Sequence, residues 1–278
     1  MKQFDLKWKS TDGLDIFARG WEPGDRATDA VVCLVHGIGE HTMRYMKVAQ
    51  ALTAEGRVLF GADLRGHGHS AGPRGHFPSI EAVLLDIDLL LDKARERYPN
   101  RPLFLYGHSL GGILVLHYAL KRNPDIRGVI STSPGLRTAL EQQPVKVMAA
   151  KLLGSLIPSV SVPSGIDLNE ISRDREVVET YKDDPLVHNR MSLGFGKVMI
   201  DVVKWTLENA GQFKYPLLLM HGKKDTITYP SGSIDFASKV NNNCKLVLWE
   251  EALHELHNEP EKDEVLSTLN EWIGNGLK

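Results

Sequence analysis

Cysteine is scarce in this chain: two in 278 residues, too few for a disulfide framework. Cys33 falls inside one apolar run and Cys244 directly before another, which fits a reducing cytosol better than an oxidising compartment. Charge of one sign is also missing. With 33 Lys and Arg against 35 Asp and Glu, the formal net charge is −2. That argues against nucleic acid as a partner, because phosphate binding needs a basic face. No apolar run is long enough to cross a bilayer. The most apolar helical pattern, Ile80 to Leu91, is interrupted by Glu81, Asp86 and Asp88. Met1-Lys2-Gln3-Phe4-Asp5 opens a strand pattern with no apolar signal core behind it. Internal repeats, low-complexity tracts and the Gly-x-Gly-x-x-Gly dinucleotide fingerprint are absent. What is present is an ordinary globular composition, 42% hydrophobic and 24% charged, long enough for one large domain or a core with an insertion.

Two alternating runs, Phe4 to Lys9 and Leu14 to Trp21, flank Thr11-Asp12-Gly13 and read as a hairpin. Apolar runs at Val31–Val35, Val58–Ala62, Leu103–Tyr106, Gly128–Thr132, Pro216–Met220 and Lys245–Trp249 then read as strands buried on both faces. Helical patterns alternate with them at Tyr45 to Glu55, Ser79 to Tyr98, Leu110 to Arg122, Ser231 to Val240 and Glu261 to Ile273. The rhythm predicts an α/β fold with a mostly parallel sheet, helices on both faces and the hairpin at one edge. It breaks once. From Pro134 to about Tyr215 no strand pattern is found, and Val145–Leu156 and Leu193–Gln212 read as helices around a Pro/Ser stretch. The division is therefore a core of residues 1–134 and 216–278 with an inserted cap, 135–215. The insertion falls at the C-terminal edge of the sheet, where ligands bind in such folds. A second packing layer without ligand contact is the alternative.

The chemistry centres on Gly107-His108-Ser109-Leu110-Gly111, which ends one predicted strand and opens a helix. Glycines two positions either side let a serine sit on a strained strand-to-helix turn, the nucleophile elbow of serine hydrolases. A serine hydroxyl needs a base to take its proton and a third group to orient that base. Asp225 lies just past the Pro216–Met220 strand and His254 just past Lys245–Trp249. Ser109, Asp225 and His254 thus occupy C-terminal strand ends in the chain order that an α/β-hydrolase requires. An oxyanion hole needs two amides: Leu110, directly after the nucleophile, and Ile38, in the Gly-rich turn after Val31–Val35.

Taken together, four motifs resemble the monoacylglycerol lipase branch of the α/β-hydrolases: His36-Gly37-Ile38-Gly39-Glu40-His41, Asp63-Leu64-Arg65-Gly66-His67-Gly68-His69-Ser70, Gly107-His108-Ser109-Leu110-Gly111-Gly112 and His221-Gly222-Lys223-Lys224-Asp225. The resemblance continues through Ser172-Arg173-Asp174, Tyr181 to Leu186 and Trp249 to His257, and covers nearly the full chain. Leu110 stands where relatives often carry Met. The cap helices follow the family in pattern more than in residues. The resemblance implies hydrolysis of an amphiphilic lipid ester, a monoacylglycerol first of all, to fatty acid and glycerol, with no metal or organic cofactor. A lysophospholipase or general carboxylesterase would use the same machinery. A non-catalytic binding scaffold is the reading from another class, and the complete Ser/Asp/His set argues against it. The resemblance also implies a small polar pocket for the glycerol, with Glu40, Arg44, Tyr181 and His257 as substrate-binding residues. Glu40 and Arg44 are four apart and can equally pair with each other at a helix start.

Three further histidines read as structural. His67-Gly68-His69, in its Gly66/Gly68 setting, reads as a tight loop under the site rather than a metal ligand pair. His108 reads as packed under the elbow. In the cap, Val145, Val147, Met148, Leu152, Leu153, Leu156 and Ile157 leave Lys146 and Lys151 as the only charges. Such a helix is either buried or, if exposed, a docking surface for membranes or micelles. The second reading makes the protein cytoplasmic and peripheral to membranes.

Overall fold

The computed structural model describes residues 1–240 and 243–278, apart from the side chains of residues 142, 144, 146 and 149. Lys146, one of the two charges read in the apolar cap run, lies outside the described side chains. In chain order the strands are β1 (Lys2–Lys9), β2 (Asp15–Glu22), β3 (Ala30–Val35), β4 (Arg57–Ala62), β5 (Leu103–His108), β6 (Gly128–Thr132), β7 (Ser161–Pro163), β8 (Arg190–Ser192), β9 (Leu217–Gly222) and β10 (Cys244–Trp249). The helices are α1 (Met46–Ala54), α2 (Ile80–Arg97), α3 (Leu110–Arg122), α4 (Pro144–Leu156), α5 (Arg175–Asp183), α6 (Leu193–Glu208), α7 (Pro230–Lys239) and α8 (Lys262–Gly276).

Eight strands form one sheet in the order β1-β2-β4-β3-β5-β6-β9-β10. The hairpin β1–β2 and its junction with β4 are antiparallel, and every other pairing is parallel. Alternation along β3 shows why the centre is stable. Val31, Cys33 and Val35 pack into the layer of α2 and α3, while Val32 and Leu34 face α1 and α8. Helix faces answer at their own period, as with Val265, Leu266, Leu269 and Ile273 on α8. Truncating a core side chain such as Leu114, which is fully buried, costs about 2–5 kcal/mol through lost burial and the cavity left behind. Ser79 caps α2 by accepting from the Ala82 amide, which fixes where that helix starts.

Three expectations need correction. β10 is not buried on both faces: it is the edge strand, and most of its residues are half-exposed. The segment between β6 and β9 does contain strands. β7 and β8 form a small antiparallel ribbon, too short for a two-residue period to show in sequence. It also contains α5, whose start is set by the Asp174 side chain accepting from Glu176 N. The predicted helix to Gln212 breaks at Asn209 into a short 3₁₀ turn. Of the two readings for the apolar run at 145–157, exposure holds. Val145, Met148, Leu152 and Leu156 are 61–72% exposed on the outer face of α4. The inner side meets α6 at Gly154, where a side chain would strike the Leu193 carbonyl and Lys197.

Candidate active site

β5 runs two residues beyond the predicted strand and delivers Ser109 at its end, with φ 54° and ψ −113°. The flanking glycines are required by contact. A Cβ on Gly107 would fall on the Gly111 carbonyl, and one on Gly111 on the Val35 carbonyl. Ser133, at the end of β6, also holds a positive φ of 45°. Its hydroxyl donates to the His254 carbonyl at 2.7 Å. Besides Asn100 and Asn123, positive φ outside glycine is thus found where these strand ends converge.

His254 Nδ1 lies 2.7 Å from Asp225 Oδ2 and His254 Nε2 lies 2.9 Å from Ser109 Oγ. The carboxylate can only accept, so Nδ1 carries the proton and Nε2 is free to take the serine's. All three side chains are buried. Burial alone would raise the Asp225 pKa. The charge of His254 and the bonds from His221 and His254 outweigh it and hold the carboxyl well below the usual range. Burial likewise works to lower His254, but the Asp225 charge overcomes it and raises the imidazole above its ordinary value. The sequence reading passed over Thr228, whose Oγ1 stands 2.9 Å from Asp225 Oδ2 and 3.3 Å from His254 Nδ1. Its position three residues after the acid was the only hint.

Leu110 opens α3, so no intrahelical carbonyl can receive its amide. Ile38, Ser109 and Leu110 line one cavity of about 1020 Å³, at the top of the usual range of about 300–1,000 Å³ for ligand sites. Its walls come from α4 and α6 of the insertion, through Val147, Met148, Phe195 and Met199, and from Leu136 and Ile227. The 36–41 loop is held from both sides. Glu40 Oε1 accepts from Gly37 N at 2.5 Å and from Tyr45 Oη at 2.7 Å. His36 Nε2 accepts from Leu64 N at 2.8 Å, and burial keeps its imidazole neutral with a pKa pushed down to about 3. Asp63 completes the support through Thr42 and the amide of His69.

Glu40, Arg44, Tyr181 and His257 are brought into one neighbourhood, apart from the walls of the large cavity. The Arg44 guanidinium lies 4.1 Å above the Tyr181 ring, and Arg44 Nε is 3.4 Å from Glu40 Oε2. Arg44 Nη2 donates to both oxygens of Glu255 at 2.9 and 2.7 Å, a partner that sequence reasoning missed. Pairing of Glu40 with Arg44 and membership of a polar cluster are thus both realised. His257 stacks on Tyr45 at 4.7 Å. Both of its ring nitrogens, Glu40 Oε2 and Arg44 Nε are buried without a hydrogen-bond partner. Burial pushes His257 down to about 4 despite Glu255, so it is neutral at pH 7. Burial and the Glu255 carboxylate push Glu40 upward, with Arg44 opposing. His108 sits under the elbow, 4.8 Å from the His254 ring and bonded to Thr132 Oγ1.

Comparison with known proteins bears on the family. A profile of the family described as serine aminopeptidase, S33, matches residues 26–261. A monoacylglycerol lipase of Mycolicibacterium smegmatis is 34% identical over 263 residues, covering 94% of this chain and 93% of that protein. The chain belongs to the monoacylglycerol lipase-like family of α/β-hydrolases. The crystal structure of a monoacylglycerol lipase from Paleococcus ferrophilus superposes with a TM-score of 0.85 at 31% identity, covering 99% of this chain and all of that one. An uncharacterised abhydrolase domain-containing protein of Dictyostelium discoideum is 41% identical over 267 residues, 95% of this chain. This α/β-hydrolase spans only 28% of that relative's length. Among its described residues no helix is long and apolar enough to cross a membrane.

Proposed function

We propose that this protein is a serine hydrolase cleaving monoacylglycerols to fatty acid and glycerol, with residues 135–215 as its cap. The observation that carries the reading is the 2.9 Å approach of His254 Nε2 to Ser109 Oγ, with Asp225 behind the ring. Ser109 Oγ bonds to the ester carbonyl carbon as its proton passes to His254 Nε2. The amides of Ile38 and Leu110 stabilise the oxyanion. When the tetrahedral centre collapses, the ester C–O bond breaks and His254 returns the proton to the departing glycerol oxygen. Water then attacks the acyl-enzyme through the same base, releasing the fatty acid and restoring Ser109. A merely binding scaffold has no need of this hydrogen-bonded chain.

The apolar cavity suits the acyl chain, and the polar cluster of Glu40, Arg44, Tyr181 and His257, with both His257 ring nitrogens lacking a partner, suits a glycerol with two free hydroxyls. The same cluster disfavours a lysophospholipid. Arg44 is already engaged by Glu255 and Glu40, so no free countercharge remains there for a phosphate. The outer face of α4 supports docking on a lipid surface, because Met148 belongs both to the exposed patch and to the cavity wall. A cytoplasmic enzyme peripheral to membranes fits this face and the two free thiols.

The test combines labelling with substrate choice. A serine-directed phosphonate is expected to label wild type once per chain and to leave Ser109→Ala unlabelled. Initial rates are then compared on matched monoacyl, diacyl and triacyl glycerols, a lysophospholipid and a short p-nitrophenyl ester. Monoacylglycerol is expected to be the fastest of the lipid esters. Triacylglycerol cleaved as fast as monoacylglycerol would return the protein to a general esterase.

A further inference from the structure

Asp225 faces a second imidazole besides that of His254. His221, the penultimate residue of β9, is fully buried, with Nε2 3.1 Å from Asp225 Oδ2 and 2.9 Å from the Thr228 carbonyl oxygen. Both neighbours accept, so Nε2 must carry a proton. On the opposite side of the ring, Nδ1 lies 2.7 Å from Ser233 Oγ on α7, a residue also without exposure. A Ser233 hydroxyl donating to Nδ1 favours the tautomer that presents the Nε2 N–H to the carboxylate. Asp225 Oδ1 meanwhile accepts the amides of Ile227 at 2.9 Å and Thr228 at 3.0 Å. Backbone thus fixes one oxygen, and side chains fix the oxygen that faces His254.

We propose that His221, oriented by Ser233, is a positioning residue that sets where and how strongly Asp225 Oδ2 engages His254. The inference rests on the Ser109–His254–Asp225 reading above and adds to it a group that touches neither substrate nor the reacting atoms. Its physical basis is the sharing of one acceptor. An oxygen that also accepts from His221 carries less charge towards His254 and cannot swing out of the imidazole plane. Removing His221 therefore loosens the geometry and, at the same time, strengthens the pull of Asp225 on the protonated ring. The base then protonates at higher pH, so the acid limb of the rate profile moves upward. The other groups facing His254 are His108 at the end of β5, Glu255 and His257 on its own loop, and Glu40 with Arg44 near α1. None of these is altered by a change at His221.

The test uses kcat, KM and the pH profile of kcat/KM on a short soluble ester, which keeps it independent of the lipid substrate. His221→Leu is expected to lower kcat about 10- to 100-fold, as loss of alignment does. Its KM is expected to stay within about twofold, because His221 does not line the cavity. Its acid limb is expected to rise by about half a pH unit or more. His221→Gln keeps an N–H donor at a similar reach and is expected to recover most of kcat and the wild-type limb. A folded Leu variant with an unmoved limb, or a Gln variant no better than Leu, overturns the proposal. If the Leu variant does not fold, Ser233→Ala decides. Freed of its tautomer, His221 should cost at least about threefold in kcat at constant KM, and an unchanged kcat overturns the proposal. Ser109→Ala run alongside separates the two readings: activity retained there means the nucleophile itself is misassigned.

Discussion

The amide of His188 donates to the carbonyl of Gly39 at 2.9 Å, and the His188 carbonyl occupies the space a side chain on Gly39 would need. The insertion thereby grips the loop that carries Ile38, and it does so at a residue with φ +78°. His41 Nε2 and Asp184 Oδ2, 2.8 Å apart, make a second tie between the same two segments. The wall of the large cavity and the loop whose Ile38 amide we propose as an oxyanion donor are therefore mechanically joined.

Gly39→Ala tests that joint. Alanine at positive φ costs about 1 kcal/mol on its own, and the clash with backbone must be added. Because the displaced loop carries the Ile38 amide, kcat on a short ester is expected to fall about tenfold or more. A stable variant with wild-type kcat would show that the loop does not depend on this contact.

Arg44 holds two buried carboxylates, so its loss is expected to be felt as stability. Arg44→Met leaves Glu40 and Glu255 facing each other without a countercharge, a loss of about 3–5 kcal/mol. Urea denaturation measures it. Adding Glu255→Gln to Arg44→Met is expected to restore a large share, since one of the two uncompensated charges then disappears and with it the repulsion on Glu40. No recovery in the double variant would mean the contribution is packing alone.

Leu152→Asp and Leu156→Asp place carboxylates on the exposed face of α4, at positions 61% and 69% exposed. Solvation there keeps the stability change within about 0.5 kcal/mol, so melting temperature is expected to hold. Co-sedimentation with lipid vesicles and the rate on dispersed long-chain monoacylglycerol are expected to drop, with the short-ester rate unchanged. Equal loss on both substrates would argue against a docking face.

The pH profile follows from His254, which in the proposed mechanism must be neutral to accept the Ser109 proton. Its pKa is raised by Asp225 against the opposing effect of burial. Activity is therefore lost as pH falls through a value above the ordinary imidazole value of about 6.5. Asp225→Asn removes the charge that raises it and is expected to move any residual activity's acid limb downward. A wild-type limb near pH 5 would contradict the pairing.

Local rules made most of this protein legible in sequence. The two-residue alternation of Val31 to Val35, the spacing along α8 and the glycines around Ser109 all act within a few residues, so they could be read one segment at a time. The placing of Ser109, Asp225 and His254 at three strand ends followed from their positions just past predicted strands. What the sequence could not decide depends on which segments become neighbours. The ribbon of β7 and β8 exists because two three-residue stretches meet across α5, not because either has a strong preference. The apolar run at 145–157 is compatible with burial or exposure, and only packing of α4 on α6 through Gly154 turned Leu152 and Leu156 outward. Glu255 captures Arg44 from 211 positions away, and His221 reaches Asp225 because β9 and the loop after it fold the ring back onto the carboxylate. Pattern reports the energy of a residue against solvent or its near neighbours. Tertiary contact sets which charge it meets, and that charge fixes the protonation of the site.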